Sequence, residues 1–132
     1  MKTILLALCI SINFCVVGQT PSKSTVPQDA EIKFEKTTHD YGTVFQDANG
    51  DCEFKFKNSG AEPLIISDVR VTCGCTTPYY AKEPIMPGKS SVIKVHYDTK
   101  RLGVFNKTIT VLSNAKTDQV VLNIKGEILE KK

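Results

Sequence analysis

The sequence lacks a large excess of charge of either sign. Its 132 residues contain 17 basic and 14 acidic side chains, which gives a formal net charge of +3. Nucleic-acid-binding surfaces need a clustered excess of Lys and Arg, and the C-terminal pair Lys131 and Lys132 falls short of a polybasic membrane patch. The composition therefore gives no electrostatic case for nucleic acid as a partner.

Recognisable catalytic motifs are also missing. The chain contains no G-x-S-x-G nucleophile elbow, no H-E-x-x-H zinc motif and no Gly-rich phosphate loop. A cysteine nucleophile with His39 or His96 as its base stays formally open, because spatial proximity decides it. We therefore predict that the protein is not an enzyme and holds no resident cofactor.

No apolar run is long enough to cross a bilayer comfortably. Residues 4–17 are apolar except for Ser11 and Asn13, and they follow a short basic start that contains Lys2. This arrangement is typical of a secretory signal peptide. We therefore predict an exported protein, periplasmic or secreted, with no transmembrane helix in the mature chain.

The end of the predicted signal peptide offers two processing sites. Small residues at Val16 and Gly18 suit cleavage before Gln19, so we assign residues 1–18 to the signal peptide. Alternatively, Cys15 could be a lipoprotein acceptor, although Phe14 directly before it is a poor fit. Residues 19–30 are polar and contain two prolines, which predicts a flexible leader.

Helical periodicity is absent, and alternation with a period of two takes its place. Cys52, Phe54 and Phe56 alternate with charged residues, which predicts a half-buried strand with these three side chains facing inward. Turns rich in Gly, Pro and Asn separate the strands. Runs that predict strands occur at 31–36, 41–45, 51–57, 64–72, 91–97, 105–112 and 119–129.

About seven short strands in about 100 residues favour an all-β fold, an immunoglobulin-like antiparallel β-sandwich. We assign residues 31–129 to this sandwich and 130–132 to a tail. The Pro-rich stretch 76–89 is predicted to be a long loop, with Met86 as an apolar plug. The predicted core contains Phe54, Phe56, Ile66, Val69, Val71, Ile93, Val95, Ile109, Val111, Leu122 and Ile124.

Reactive side chains cluster at one place, the run Cys73-Gly74-Cys75. Signal cleavage leaves these two cysteines and Cys52, an odd number for an oxidising compartment. Residues i and i+2 of an extended strand have Cα atoms about 6.6 Å apart, near the upper limit for a disulfide. A Cys73–Cys75 bridge therefore needs a bend, which Gly74 permits, and a strained bridge suits thiol exchange.

Two other interpretations of the cysteines stay open. Cys52 faces inward and could bridge to Cys73 or Cys75, closing a loop of about 20 residues and stabilising the fold by roughly 3 kcal/mol. As thiolates, Cys73 and Cys75 could instead bind copper(I), which accepts a small number of soft ligands. No convincing third ligand is evident in the sequence.

Several motifs, taken in order, resemble one family over about residues 32–128. That family is the bacterial domain of unknown function 1573. The resemblance implies an immunoglobulin-like sandwich related to the major sperm protein and Hydin-type domains, found in exported bacterial proteins. The motifs are His39-Asp40-Tyr41-Gly42-Thr43-Val44, Phe54-Lys55-Phe56-Lys57-Asn58-Ser59-Gly60, Pro63-Leu64-Ile65-Ile66, Cys73-Gly74-Cys75-Thr76, Pro84-Ile85-Met86-Pro87-Gly88, Tyr97-Asp98, Phe105-Asn106-Lys107 and Val111-Leu112-Ser113-Asn114.

The resemblance marks His39, Asp40, Gly42, Gly74 and Thr76 as motif positions. In the first motif, Asp40 is expected to accept backbone hydrogen bonds and Gly42 to supply an unusual backbone angle. Related sandwiches mostly serve as interaction modules. We therefore predict an exported, non-enzymatic binding or scaffolding module with a protein or cell-envelope partner. The alternative is thiol redox exchange or copper(I) binding at the two cysteines of the Cys-Gly-Cys run.

Overall fold

The structure is a computed structural model that describes Gly18 and residues 29–132. The predicted signal peptide, the alternative lipid site at Cys15 and most of the predicted leader lie outside these residues and stay predictions. None of the described residues forms a helix long and apolar enough to cross a membrane.

The described residues fold into eight strands arranged in two four-stranded sheets. The first sheet has the strand order β1-β3-β6-β5, and the second has the order β2-β8-β7-β4. The predicted all-β sandwich is confirmed, with one strand more than the sequence indicated. The strands are β1 (Ile32–Phe34), β2 (Thr38–Phe45), β3 (Asp51–Asn58), β4 (Ile66–Val71), β5 (Thr76–Tyr80), β6 (Ser90–Tyr97), β7 (Gly103–Ser113) and β8 (Gln119–Leu129).

The core lies between the two sheets and follows the predicted alternation. Along β3, the inward-facing side chains are buried while the charged ones between them are exposed. Phe54 of β3 lies opposite Ile93 of β6 in the first sheet, and neither has any exposed surface. Every predicted core residue is buried, except that Val71 is only partly so.

Two strand assignments differ from the prediction. Thr76–Tyr80 forms β5 inside the stretch predicted to be a loop, and it pairs with β6 at the edge of the first sheet. Pro78 is tolerated there because an edge strand has one side on which no ladder hydrogen bond is needed. In addition, β2 pairs with β8 in parallel, so the sandwich is not wholly antiparallel.

The return of the 81–89 segment to the sandwich also differs from the prediction. Ile85 is buried and forms a bridge to Leu64, whereas Met86 is 53% exposed. The apolar plug at this position is therefore Ile85, and Met86 faces away from the core.

The chain crosses from the first sheet to the second after β3, and a buried amide organises this crossing. The Asn58 side chain is fully buried. Its Nδ2 donates to the carbonyl oxygens of Glu62 (2.7 Å) and Ile85 (2.9 Å). Its Oδ1 accepts from the backbone N–H groups of Gly60 (3.0 Å) and Glu31 (3.4 Å). One side chain thus satisfies backbone groups from three separate segments, as buried polar groups require.

Candidate functional site: the cysteine corner

The Cys-Gly-Cys run lies where the chain crosses back from the second sheet to the first. Val71 ends β4, which is paired with β7, and Thr76 begins β5, which is paired with β6. Residues 72–75 form the turn between these strands, and we call them the cysteine corner. The strand predicted to reach residue 72 therefore stops one residue earlier, because the chain turns to enter the other sheet.

A disulfide joins Cys73 and Cys75. Their Cα atoms lie 5.2 Å apart, which is within the ordinary range for a disulfide and shorter than the spacing expected for an extended strand. Gly74 has nothing within 4 Å of an added Cβ and does not have a positive φ. The bend that Gly74 was expected to permit is therefore made with a backbone conformation that is also open to other residues.

Cys52 is the free cysteine of the described residues, so neither of its two candidate bridges is formed. It faces the core, as its position in the alternation predicted, and it is buried. Burial raises the pKa of its thiol above the ordinary value. Cys52 is therefore a protonated core thiol at neutral pH.

The two bonded sulfurs have different surroundings. Cys73 is partly exposed, whereas Cys75 is 3% exposed. The backbone N–H of Cys75 donates to Sγ of Cys73 at 3.2 Å. Sγ of Cys75 lies 3.8 Å from Oγ1 of Thr76, which is itself buried. Each sulfur thus has one hydrogen-bonding group of the chain beside it.

Backbone hydrogen bonds fix the corner from both sides. The Thr76 N–H donates to the Cys73 carbonyl oxygen at 3.2 Å, and the Asp98 N–H donates to the Cys75 carbonyl oxygen at 2.8 Å. The β4–β7 and β5–β6 ladders hold the flanking residues. The shape of the corner therefore rests on hydrogen bonds that do not involve the sulfur–sulfur bond.

Both histidines interact with other side chains. Nδ1 of His39 lies 3.3 Å from Nζ of Lys36, and its ring packs edge-on against Tyr41. Burial and the neighbouring Lys36 lower the pKa of His39. Nδ1 of His96 lies 2.6 Å from Oδ1 of Asp51 on the outer face of the first sheet. Neither contact includes a cysteine, so a cysteine–histidine catalytic pair has no support in the geometry.

The remaining motif positions shape the backbone of β2. Oδ1 of Asp40 accepts a hydrogen bond from the Gly42 N–H at 2.8 Å. Gly42 has a φ of +66°, a left-handed conformation that favours glycine. The pairing of β2 with β8 shifts register at this point. This is the local role expected for the His-Asp-Tyr-Gly motif.

The metal interpretation is not supported by a ready-made ligand set. Among residues 29–132 and Gly18, no group of three or more His, Cys, Asp or Glu side chains is arranged to hold a metal ion. Cys73 and Cys75 could offer two thiolates only after reduction of their disulfide, because bonded sulfurs are poor ligands. Copper(I) binding stays a prediction for the reduced form alone.

A second surface was not foreseen from the sequence. Four large apolar side chains are exposed at one end of the outer face of the second sheet, and we call them the apolar row. Phe45 is paired with Leu129, and Leu102 directly precedes Gly103, the partner of Ile128 in β8. The exposed fractions are 59% for Phe45, 54% for Leu102, 82% for Val104 and 39% for Leu129.

The outer face around the apolar row carries little charge. On the central strands β7 and β8, the outward-facing positions hold one acidic and one basic residue, Glu127 and Lys125, among Val, Leu, Thr, Asn and Gln. On the central strands of the first sheet, most outward-facing positions are ionisable. The uncharged outward positions of residues 103–113 and 119–129 are the sequence signal that could have revealed this difference.

Two facing four-stranded sheets with these connections define an immunoglobulin-like sandwich. The family model described as Protein of unknown function (DUF1573) matches residues 32–128. The chain therefore belongs to this family, and the expectation from its motifs is confirmed.

Solved structures share the fold at low sequence identity. A protein of unknown function from Porphyromonas gingivalis W83 is 19% identical, with a TM-score of 0.66 over 78% of this chain and 49% of its own. The ASH/PapD-like domain 7 of human CEP192 is 9% identical, with a TM-score of 0.63 over 88% of this chain and 97% of its own.

A third similar structure comes from the CsuC–CsuE chaperone–tip adhesion subunit pre-assembly complex of Acinetobacter baumannii. It is 8% identical, with a TM-score of 0.53 over 74% of this chain and 57% of its own. This chain spans about half the length of the Porphyromonas protein. The search of curated proteins found no match to this chain. At sequence identities this low, the similar structures show the fold of the chain and not its function.

Proposed function

We propose that this protein is an exported, non-enzymatic module that binds another protein through the outer face of its second sheet. The observation that carries this proposal is the apolar row of Phe45, Leu102, Val104 and Leu129. Contiguous exposed apolar surface on a folded domain marks a site of interaction. Phe45, Val104 and Leu129 lie on paired strands and Leu102 directly precedes β7, so the row is presented to a partner without further folding.

Covering the apolar row gives a favourable hydrophobic contribution, from which the entropic cost of association is subtracted. Full burial of a large apolar side chain contributes roughly 1.5–3 kcal/mol, and these side chains are about half exposed, so covering all four contributes on the order of 3–6 kcal/mol. The low charge of β7 and β8 supports the same face, because charged residues are depleted at the centres of protein interfaces.

The sheet edges offer less to a partner than this face. β1 has three residues, and β5 contains Pro78. The edge strands β2 and β4 each carry an irregularity in their pairing, near Gly42 and Asp68 respectively. Short strands, prolines and bulges all hinder the addition of a partner strand. A face contact therefore fits this molecule better than an edge contact.

The similar structures support a protein partner in general terms. The CsuC–CsuE structure contains a chaperone bound to an adhesion subunit, so a sandwich of this shape can hold another protein. Proteins that share a fold differ in function because their binding surfaces differ. In this chain, the apolar row is the surface that we assign to binding.

The binding proposal is tested by comparing two variants in intact cells. Val104→Lys places a charge in the apolar row opposite Glu127, where it can be accommodated. Thr77→Lys places the same charge on an exposed position of the first sheet and serves as the matched control. We expect chemical cross-linking to yield a defined complex with the parent and with Thr77→Lys, and its loss with Val104→Lys.

Retention of the complex by the folded Val104→Lys variant would contradict the proposed surface. Its loss in both folded variants would also contradict it. Circular dichroism and unfolding midpoints establish that both variants are folded. Export is tested separately by fractionation and N-terminal sequencing, which should find the protein outside the cytoplasm beginning at Gln19. A lipidated N-terminus at Cys15 would overturn the predicted cleavage site, and a cytoplasmic full-length chain would overturn the prediction of export.

A further inference from the structure

We propose that the Cys73–Cys75 disulfide is a reversible acceptor of electrons from dithiols and that exchange begins at Cys73. This activity goes beyond the binding role and does not depend on it. Four observations carry it: the size of the loop that the disulfide closes, the hydrogen bonds that fix the corner without it, the unequal exposure of its sulfurs, and the groups beside each sulfur.

The disulfide closes too small a loop to serve mainly as a structural link. Its cysteines are separated by 2 in sequence. In the chain-entropy model the stabilisation grows with the logarithm of loop length, so a loop of about three residues gives about one third of the stabilisation of a 100-residue loop. A bridge that stabilises so little is not explained by stability alone.

Reduction should leave the corner in place. Hydrogen bonds from Thr76 and Asp98 hold the carbonyl oxygens of Cys73 and Cys75. The partner strands β7 and β6 hold Val71 and Thr76 on either side. The two sulfurs would thus remain close to one another after reduction, which allows the disulfide to form again.

The unequal exposure of the two cysteines determines where exchange begins. Cys73 is partly exposed, whereas Cys75 is nearly inaccessible. Thiol–disulfide exchange requires a thiolate to reach the sulfur that it attacks. An external thiolate therefore reaches Cys73, and Cys75 becomes the leaving group.

The hydrogen-bonding groups match these roles. The Oγ1–H of Thr76 lies beside Cys75 Sγ and can donate to the thiolate that forms there. The Cys75 N–H points at Cys73 Sγ and can donate to the thiolate released from Cys73 at the end. Hydrogen bonds to a charged form stabilise it, and a stabilised thiolate is a better leaving group.

The reaction proceeds in two exchanges with a dithiol substrate. The first substrate thiolate attacks Sγ of Cys73, a substrate–Cys73 bond forms, and the Cys73–Cys75 bond breaks with its electron pair on Cys75. The second substrate thiolate attacks the substrate sulfur bonded to Cys73 and releases Cys73 as a thiolate. Two electrons pass to the protein, the substrate becomes a disulfide, and the two protons of the substrate thiols end on Cys73 and Cys75.

The direction of attack is tested with glutathione disulfide as the probe and two single variants. Cys75→Ser leaves Cys73 free, and Cys73→Ser leaves Cys75 free. We expect the free thiol of Cys75→Ser to form a mixed disulfide at least about tenfold faster than that of Cys73→Ser, because accessibility limits the exchange. Peptide mass spectrometry locates the glutathione, and buried Cys52 should stay unmodified as the internal reference.

The exchange itself is tested on the parent protein with reduced dithiothreitol as the dithiol. We expect two new thiols, at Cys73 and Cys75, while circular dichroism stays that of the folded protein, and we expect the disulfide to return on addition of oxidised glutathione. A disulfide that opens only as the protein unfolds would overturn the proposal. Equal or reversed rates for the two variants would overturn attack at Cys73. If either variant fails to fold, the site of the first mixed disulfide in the parent, with reduced glutathione, decides the same question.

Discussion

The chain crosses between its two sheets on both sides of β4, and the crossings are held by different chemistry. Before β4, the buried amide of Asn58 makes four hydrogen bonds to backbone groups. After β4, a disulfide joins Cys73 to Cys75. The Asn58 side chain that holds the first crossing is fully buried, whereas the Cys73–Cys75 disulfide at the second crossing includes a partly exposed cysteine.

The comparison shows that a covalent bond is not necessarily the stronger constraint on a fold. Removing a buried hydrogen-bonding partner costs about 1–3 kcal/mol for each group that is left unsatisfied, and Asn58 serves several groups. The disulfide constrains only the residues next to it. We therefore expect the first crossing to contribute more to the stability of the fold. The disulfide of the second crossing can then be reduced without large loss of stability.

The largest effect is expected at Asn58. Asn58→Ala should lower the free energy of unfolding by about 3 kcal/mol or more, because it removes four hydrogen bonds and leaves a cavity. Asn106→Ala on the exposed face of β7 is the matched control and should cost less than about 1 kcal/mol. Urea unfolding measures both, and similar losses would show that Asn58 does not organise its crossing.

Each crossing contains one glycine, which permits a second test. A Cβ at Gly60 would lie 2.0 Å from the Asp29 carbonyl oxygen, whereas a Cβ at Gly74 would meet nothing within 4 Å. Gly60→Ala should therefore cost about 1–3 kcal/mol, and Gly74→Ala should stay within about 0.5 kcal/mol of the parent. A larger loss of unfolding free energy at Gly74 would contradict this contrast.

Alkaline pH should lower the free energy of unfolding through groups of the core that belong to neither crossing. Burial raises the pKa values of Cys52 and Tyr41 in the folded state. Because these groups lose protons more readily when unfolded, their contribution is present below the unfolded pKa values and is lost as the pH rises above about 9. The loss approaches about 1.4 kcal/mol per pH unit for each group.

Urea unfolding between pH 7 and 10.5 measures this decline. The variants Cys52→Ala and Tyr41→Phe should each flatten the decline, whereas Cys73→Ala with Cys75→Ala should shift the curve without changing its slope. An unchanged slope in both single variants would assign the decline to other groups.

Loss of the disulfide is expected to have a small effect on stability. The double variant Cys73→Ala and Cys75→Ala should lose at most about 1.5 kcal/mol of unfolding free energy, the value set by the small loop. Calorimetry of the parent with and without reductant provides an independent value. A loss comparable to that of Asn58→Ala would show that the disulfide is a structural link after all.

Much of the sandwich could be predicted because its central strands are buried on one face only. The alternation of Cys52, Phe54 and Phe56 with charged residues indicates both the strand and its inward face. Positions without that alternation were assigned less well. β5 is short and contains Pro78, so its pattern resembles that of a loop, and only pairing with β6 makes it a strand.

The candidate site was predictable in composition but not in geometry. The sequence indicates that Cys73 and Cys75 are close, yet their bonding depends on the turn between two sheets, which involves residues distant in sequence such as Asp98. The apolar row was missed for the same reason. Phe45, Leu102 and Leu129 come from separate parts of the chain, and only the pairing of β2, β8 and β7 places them together.

The parallel pairing of β2 with β8 also determines how the domain responds to mechanical load. A pull applied between the start of β2 and the end of β8 draws two parallel neighbours in opposite directions along their length. The ladder between them is then sheared, so that its hydrogen bonds bear the force together and do not open one after another. Since forced unfolding depends on the unfolding rate, this arrangement should slow unfolding under a pull in that direction.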